Sequence, residues 1–290
     1  MLASKIRPSA FVSNRTTFQT FYSTTSTIRP VPILKDGTIT TFRNEAFQPA
    51  VPFLLPRNHF ALLPATKKWF LPSSSPHSHT RLDETYLSSY ASAPVPLELT
   101  SSGAFTQTTQ PLSFFLSACA TPLEKGTSVY LAQASLSDLP DGLRADVPTP
   151  DLVIEAGRGD VYDTSIWLGL APTYTPLHRD PNPNLFVQLA GRKKVRLLRP
   201  EVGGAVFTRV QEIVGGTGNA LIRGGEMMAG KEREVLEEVV WEGKGDAVPE
   251  GQTWECELGP GDGLFIPKGW WHSIKGLGEG ITGSVNWWFR

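Results

Sequence analysis

Short apolar runs separated by glycine and proline turns make up most of the second half of the chain. Residues 165–170 predict an apolar strand, and residues 185–189 and 195–198 predict the next two, with Gly191 at the turn between them. Residues 281–289 alternate as a last strand. Many short strands joined by tight turns favour a mainly β fold. We expect a double-stranded β-helix, which is a form of jelly roll.

Changes in composition divide the chain into three segments. Residues 151–290 hold the predicted jelly roll, and residues 36–150 are mixed and proline-rich, which favours an α/β elaboration before it. Residues 1–35 form a separate leading segment. Within the jelly roll, residues 201–253 are an insert whose charged stretch 231–240 fits either a short helix or a strand.

The leading segment has the composition of a targeting sequence. It contains eleven serine or threonine residues, and no acidic residue occurs before Asp36. This pattern predicts a mitochondrial presequence that is processed between about residues 22 and 30. The alternative is a disordered tail with no targeting function, in a cytoplasmic or nuclear protein. The basic residues of the segment are Lys5, Arg7, Arg15, Arg29 and Lys35.

Composition and charge exclude several classes of protein. A hydrophobic content of 40% over 290 residues is enough for a large core. A net charge of −1 and a pI near 6.5 give no electrostatic footprint for nucleic acid. Two cysteines imply no disulfide framework. No stretch approaches the roughly 18 apolar residues that span a bilayer.

Two histidines and one aspartate are candidates for a metal site. His178 and Asp180 are two residues apart, so on an extended strand both side chains leave the same face. A His-x-Asp pair alone is more often a turn or a surface hydrogen bond, and His272 would have to return through the fold as the third ligand. Such a set leaves about half of an octahedral ion's positions open, as in non-haem Fe(II) oxygenases.

One lysine is expected on an apolar strand face. Lys193 shares its face with Val195 and Leu197, while Lys194 and Arg196 point the other way. A buried ammonium is costly unless an anion pairs with it, and a dicarboxylate co-substrate would be such an anion. Alternatively, Lys193 extends from the start of the strand to water.

Four segments together resemble a known family. Residues 129–134, 175–194, 258–272 and 280–289 are similar to the JmjC and cupin-like 2-oxoglutarate oxygenases. The similarity is greatest to the branch that contains the asparaginyl hydroxylase of hypoxia-inducible factor. One departure is Ala132, which stands where that hydroxylase has a glutamine that faces the substrate. The identity of the substrate is therefore not inherited.

The resemblance implies a set of ligands and co-substrates. By position, His178, Asp180 and His272 would bind Fe(II), with 2-oxoglutarate as co-substrate and dioxygen as oxidant. Lys193 would pair with the distal carboxylate of 2-oxoglutarate, helped by the hydroxyls of Tyr130 and Thr175. Asn184 and Asn286 would lie beside the metal-bound end of the co-substrate, and Phe186 would line the same pocket. Candidates for apolar walls, of which at least two are expected to be core residues only, are Trp270, Trp271, Trp287 and Trp288.

The implied reaction is an oxidation of a prime substrate, with a protein side chain favoured. The aspartate ligand favours hydroxylation, because glutamate at position 180 would be more typical of lysine demethylases; N-demethylation stays open. Two other classes also stay open: a catalytically silent cupin that binds metal or a partner, and a cupin enzyme that needs no oxo acid. The chain is expected to be a monomer or a dimer through an unidentified surface.

Overall fold

The computed structural model describes residues 28–71, 79–216 and 228–290, so the first 27 residues of the predicted presequence lie outside it. The strands are β1 (Arg29–Pro30), β2 (Phe53–Leu54), β3 (Phe70–Leu71), β4 (Arg81–Leu82), β5 (Pro94–Ser101), β6 (Ala104–Pro111), β7 (Ser128–Ser135), β8 (Val161–Leu170), β9 (Thr173–Arg179), β10 (Asn184–Ala190), β11 (Arg192–Leu198), β12 (Thr253–Leu258), β13 (Gly263–Ile266), β14 (Trp271–Leu277) and β15 (Ile281–Phe289).

Helices and short helical turns lie between these strands in the sequence. The α-helices of the described part are α1 (Ile39–Thr41), α2 (Pro64–Lys68), α3 (Glu84–Leu87), α4 (Leu112–Ala120), α5 (Asp141–Ala145), α6 (Asp151–Glu155), α7 (Pro200–Val214) and α8 (Gly230–Trp241). Short π or 3-10 turns occupy Phe42–Phe47, Ser88–Tyr90, Leu136–Asp138 and Lys244–Asp246. The stretch 231–240, for which the sequence left helix and strand open, is therefore helical. None of the helices in the described ranges is long and apolar enough to cross a membrane.

Two antiparallel sheets form the jelly roll that the sequence predicts. One sheet has the strand order β1-β12-β11-β14-β9, and the other has the order β2-β13-β10-β15-β8-β7-β5-β6. From β8 to β15, consecutive strands alternate between the two sheets, except that β11 and β12 both lie in the smaller sheet; this is the connectivity of a double-stranded β-helix. The predicted mainly β cupin fold is confirmed. Strands β2 and β5 to β7, which come from residues 36–150, extend the larger sheet.

The burial of two consecutive strands shows how the sheets are layered. Every residue of β10 is buried, because the strand lies between β13 and β15 and both faces of its sheet are covered. On β11 the odd-numbered positions Lys193, Val195 and Leu197 are buried, as the period of two predicts. Gly191 joins the strands with a φ of +64°, and a Cβ there would lie 2.6 Å from a backbone oxygen of the neighbouring strand.

A helical layer supports the smaller sheet from outside. Helices α7 and α8 come from the insert and pack against strands β9 and β14 through an apolar cluster that includes Leu177, Val206, Leu236 and Trp271. Helix α7 begins with Pro200, which suits the first helical turn. The backbone segments that carry the two candidate histidines are therefore covered on one side by the helices and face the other sheet with the opposite side.

Candidate metal centre

The structure brings the three candidate ligands together. His178 and His272 are directly paired residues on the adjacent strands β9 and β14, and their ring centroids are 4.1 Å apart. Asp180 lies just beyond the end of β9, with its Oδ2 atom 3.7 Å from His272 Nε2. One potential ligand atom from each residue lies within 4.8 Å of the others. Strand pairing thus brings together two histidines that are 94 residues apart in the sequence.

Backbone carbonyls fix the tautomer of both imidazoles. The Nδ1 atom of His178 lies 2.9 Å from the carbonyl oxygen of Pro176, and that of His272 lies 3.2 Å from the carbonyl oxygen of Trp270. A carbonyl only accepts hydrogen bonds, so each Nδ1 carries the proton and each Nε2 carries the lone pair. This is the tautomer in which histidine binds a metal through Nε2.

Two asparagines lie behind the aspartate. Asn184 Nδ2 donates a hydrogen bond to Asp180 Oδ2 at 2.7 Å, and Asn286 Nδ2 donates to Asn184 Oδ1 at 2.9 Å. Both asparagines are buried, on the neighbouring strands β10 and β15. The structure therefore links them to the candidate metal ligand, whereas the sequence resemblance implied only that they lie beside the co-substrate.

Lys193 is buried within the cavity, with 2% of its surface exposed. The alternative that it extends to water is wrong. Its Nζ donates hydrogen bonds to Ser284 Oγ at 2.7 Å and to Tyr130 Oη at 3.5 Å, and it lies 5.4 Å from the ring centroid of Phe186. An ammonium group in such surroundings favours an anion beside it, because desolvation otherwise disfavours the charge.

All nine predicted site residues line one cavity of about 40 Å³ between the two sheets. Thr175 is half-buried on β9, and the other eight lie on β7, β9 to β11, β14 and β15 or just beyond β9. The cavity shares Tyr130, Thr173 and Thr175 with an adjoining depression of about 300 Å³. A narrow inner chamber thus lies next to a wider outer one.

Several lining residues were not predicted from the sequence. They are Trp167, Thr173, Ile274 and Ser284. Ser284 lies two positions before Asn286 on the same strand, so the period of two could have placed both on the cavity face. Of the four candidate wall tryptophans, Trp288 lines the cavity, while Trp270, Trp271 and Trp287 belong to apolar core clusters.

The donor set fits an iron ion and an oxo acid. Two imidazole nitrogens and one carboxylate on one side leave coordination positions for other ligands, and this combination suits Fe(II). The cysteines offer no competing ligand in the cavity, because neither Cys119 nor Cys256 lines it. Burial raises the pKa of both thiols to about 12. The lysine supplies the positive charge that a dicarboxylate needs.

Comparison with known proteins identifies the family. The profile of the cupin-like domain matches residues 65–290, which is most of the chain. The chain belongs to the cupin-like domain family. Its relatives include proteins that are named for a JmjC domain or as lysine demethylases.

Three relatives illustrate the similarity. The chain is 29% identical to "Lysine-specific demethylase 8" of Danio rerio over 200 residues, which cover 67% of this chain and 45% of that protein. It is 28% identical over 255 residues to "Lysine-specific demethylase JMJ30" of Arabidopsis thaliana, covering 85% and 52%. It is also 28% identical over 269 residues to "Jumonji C domain-containing protein 5" of Drosophila melanogaster, covering 90% and 60%. The chain spans about half the length of these relatives.

The relatives confirm the JmjC and cupin-like part of the resemblance. They do not support its finer part, the similarity to the asparaginyl hydroxylase of hypoxia-inducible factor, because they carry the names of JmjC proteins and lysine demethylases. They support the prediction of an oxidoreductase for the same reason.

Proposed function

We propose that the chain is an Fe(II)- and 2-oxoglutarate-dependent oxygenase that oxidises a protein side chain and releases succinate and carbon dioxide. The observation that carries the proposal is the placement of His178, Asp180 and His272 in one cavity with the buried Lys193. Fe(II) bound by the triad would supply the dioxygen chemistry that couples decarboxylation of the oxo acid to substrate oxidation.

The protein's own residues have separable roles in this proposal. The triad holds the ion, and the two carbonyls behind the histidines keep each Nε2 directed at it. Lys193 binds the distal carboxylate of 2-oxoglutarate, with Tyr130 and Ser284 orienting its ammonium group. Phe186 and Trp288 limit access of water to the inner chamber.

The outer depression is the candidate site for the prime substrate. Its lining includes the charged residues Glu98, Arg233 and Glu234 together with several hydroxyl groups. A lining that combines charged and hydroxyl groups with apolar surface suits a polypeptide segment that brings one side chain to the metal. Because the depression shares Tyr130 and Thr175 with the inner chamber, a side chain bound there would lie next to the co-substrate.

Hydroxylation is our first choice of reaction, and N-demethylation is the second candidate. The aspartate ligand favours hydroxylation, whereas the names of two of the three relatives favour demethylation of lysine. The two outcomes differ in mass and in by-product. A stable hydroxylation adds one oxygen atom, while oxidation of an N-methyl group removes a methylene unit from the product and releases formaldehyde.

The purified chain should convert 2-oxoglutarate to succinate with Fe(II) and ascorbate, and faster in the presence of its peptide substrate. Screening peptide libraries by mass spectrometry, with a formaldehyde assay in parallel, tests the reaction. We expect a product heavier by one oxygen atom and no formaldehyde. A product that has lost a methylene unit, together with formaldehyde, identifies a demethylase. Absence of succinate under all conditions would reject the oxygenase proposal, and oxygen uptake without 2-oxoglutarate would then separate a silent cupin from a cupin enzyme that needs no oxo acid.

We further propose that residues 1–35 contain a presequence that directs the protein to mitochondria. In support, the segment is basic and rich in serine and threonine, and no acidic residue occurs before Asp36. Processing before Arg29 would keep the pairing of β1 with β12. A reporter fused behind residues 1–40 should enter mitochondria in a potential-dependent way and become shorter. The matched control replaces Lys5, Arg7 and Arg15 by glutamine and should stay outside. If the parent fusion stays in the cytosol at full length, the mitochondrial proposal is wrong, and the enzyme proposal is unaffected.

A further inference from the structure

We propose that Asn184 and Asn286 form an amide relay that positions the Asp180 carboxylate for the metal. The proposal rests on the metal site described above. It concerns a role of these residues that is distinct from contact with the co-substrate. The relay has two hydrogen bonds, from Asn286 to Asn184 at 2.9 Å and from Asn184 to Asp180 at 2.7 Å.

The chemistry of the carboxylate fixes the direction of the relay. An ionised carboxylate only accepts hydrogen bonds, so Asn184 must turn its NH2 group to Asp180 and its carbonyl oxygen away. That oxygen in turn requires a donor, and the NH2 group of Asn286 lies at this position. Each amide orientation therefore follows from the one before it, starting from the charge on Asp180. A residue without an amide, or an amide turned the other way, at either position would break this chain of hydrogen bonds.

The strand arrangement holds the relay rigid. Asn184 begins β10, and Asn286 lies diagonally across from it on β15, because Asn286 pairs with Phe186 and Trp288 pairs with Asn184. Both side chains are buried, so neither amide can exchange its partner for bulk water. Asp180 itself lies in the short connection that follows β9, so these bonds from the opposite sheet orient a carboxylate that its own strand does not hold.

The relay ends on an acceptor. Within the described ranges no hydrogen-bond donor reaches Asn286 Oδ1, although this atom is buried and its residue is only 5% exposed and lines the cavity. A buried acceptor of this kind is normally satisfied, by water if not by protein. The orientation of the Asn286 amide follows from the relay: its NH2 group donates to Asn184, so its oxygen atom points the other way. A donor that enters the cavity with the metal, in the simplest case a water molecule, would complete the network.

Metal titrations without co-substrate test the relay. The full chain, freed of metal, is titrated with Mn(II) as an air-stable substitute for Fe(II), and the dissociation constant is measured by calorimetry. Asn184→Ala should weaken binding roughly ten- to a hundredfold, the usual cost of removing an outer-shell partner. Asn286→Ala should weaken it up to about tenfold, although Asn286 bonds to Asn184 and not to Asp180. Circular dichroism and thermal unfolding check folding, and serine replaces alanine where a variant unfolds.

The double variant separates a relay from two independent roles. Because Asn286 acts through Asn184, the double variant should bind Mn(II) within about twofold of Asn184→Ala alone. Ser284→Ala is the matched control for metal affinity, since Ser284 lies on the same strand but bonds to Lys193. Unchanged affinity in Asn286→Ala, or additive losses in the double variant, would overturn the relay. If the parent chain binds no Mn(II), the proposed metal site fails instead.

Discussion

Replacing Asp180 by alanine should abolish turnover of 2-oxoglutarate. The residue supplies the only anionic ligand of the triad, and its carboxylate lies within 3.7 Å of His272 Nε2. Two neutral imidazoles that remain would bind a divalent ion weakly. We expect a loss of Mn(II) affinity greater than the ten- to hundredfold that removal of an outer-shell partner causes. Calorimetry and succinate formation measure the two effects separately.

Two further variants make this result interpretable. Asp180→Asn keeps the size of the side chain and removes its charge, so it should be nearly as inactive while retaining the packing around Asn184. Asp160→Ala is the control, because Asp160 is exposed and its ion pair with Arg290 lies on the surface, where such pairs contribute little. If Asp180→Ala forms succinate as fast as the parent chain, the metal assignment is wrong.

Replacing Lys193 by alanine should raise the apparent KM for 2-oxoglutarate about ten- to a hundredfold. A charge-assisted contact in a partly dry cavity contributes roughly 1.5 to 3 kcal/mol, at about 1.4 kcal/mol per decade of affinity. Metal affinity without co-substrate should change little, because an ammonium group is not a ligand. Initial rates at several 2-oxoglutarate concentrations measure the change.

The neighbouring lysine provides a matched control. Lys194→Ala removes the same charge from the same strand, but Lys194 faces outward and pairs with Glu255 at 3.2 Å. Its KM for the oxo acid should stay at the parent value. Ser284→Ala should give an intermediate increase, since it removes the 2.7 Å hydrogen bond that orients Lys193 and keeps the charge. An unchanged KM in Lys193→Ala would place the anion site elsewhere in the cavity.

Periodicity alone accounted for much of the fold. Alternation along residues 192–198 placed Lys193 on the buried face, because successive side chains on a strand point to opposite sides. The run of apolar residues in β10 and the glycine turn after it were also readable, since a fully covered strand needs no polar face. The charged stretch that became α8 was not decided by its pattern. The pattern allowed either a helix or a strand, and the structure shows a helix that packs on β9 and β14.

The sequence by itself determined the chemical types at the site and the strands that carry them. The His-x-Asp pair, the second histidine and the lysine can be read directly from the sequence, and they lie within segments that resemble one family in order and spacing. Tertiary structure decided which atoms meet. Pairing of β9 with β14 brought together two histidines that are 94 residues apart, and the facing of the two sheets placed Ser284 within hydrogen-bond distance of Lys193. Asn184 and Asn286 show the difference best: the sequence assigned them to a pocket, but only the fold directed their amides to Asp180, because hydrogen-bond direction depends on distances that no spacing along the chain contains.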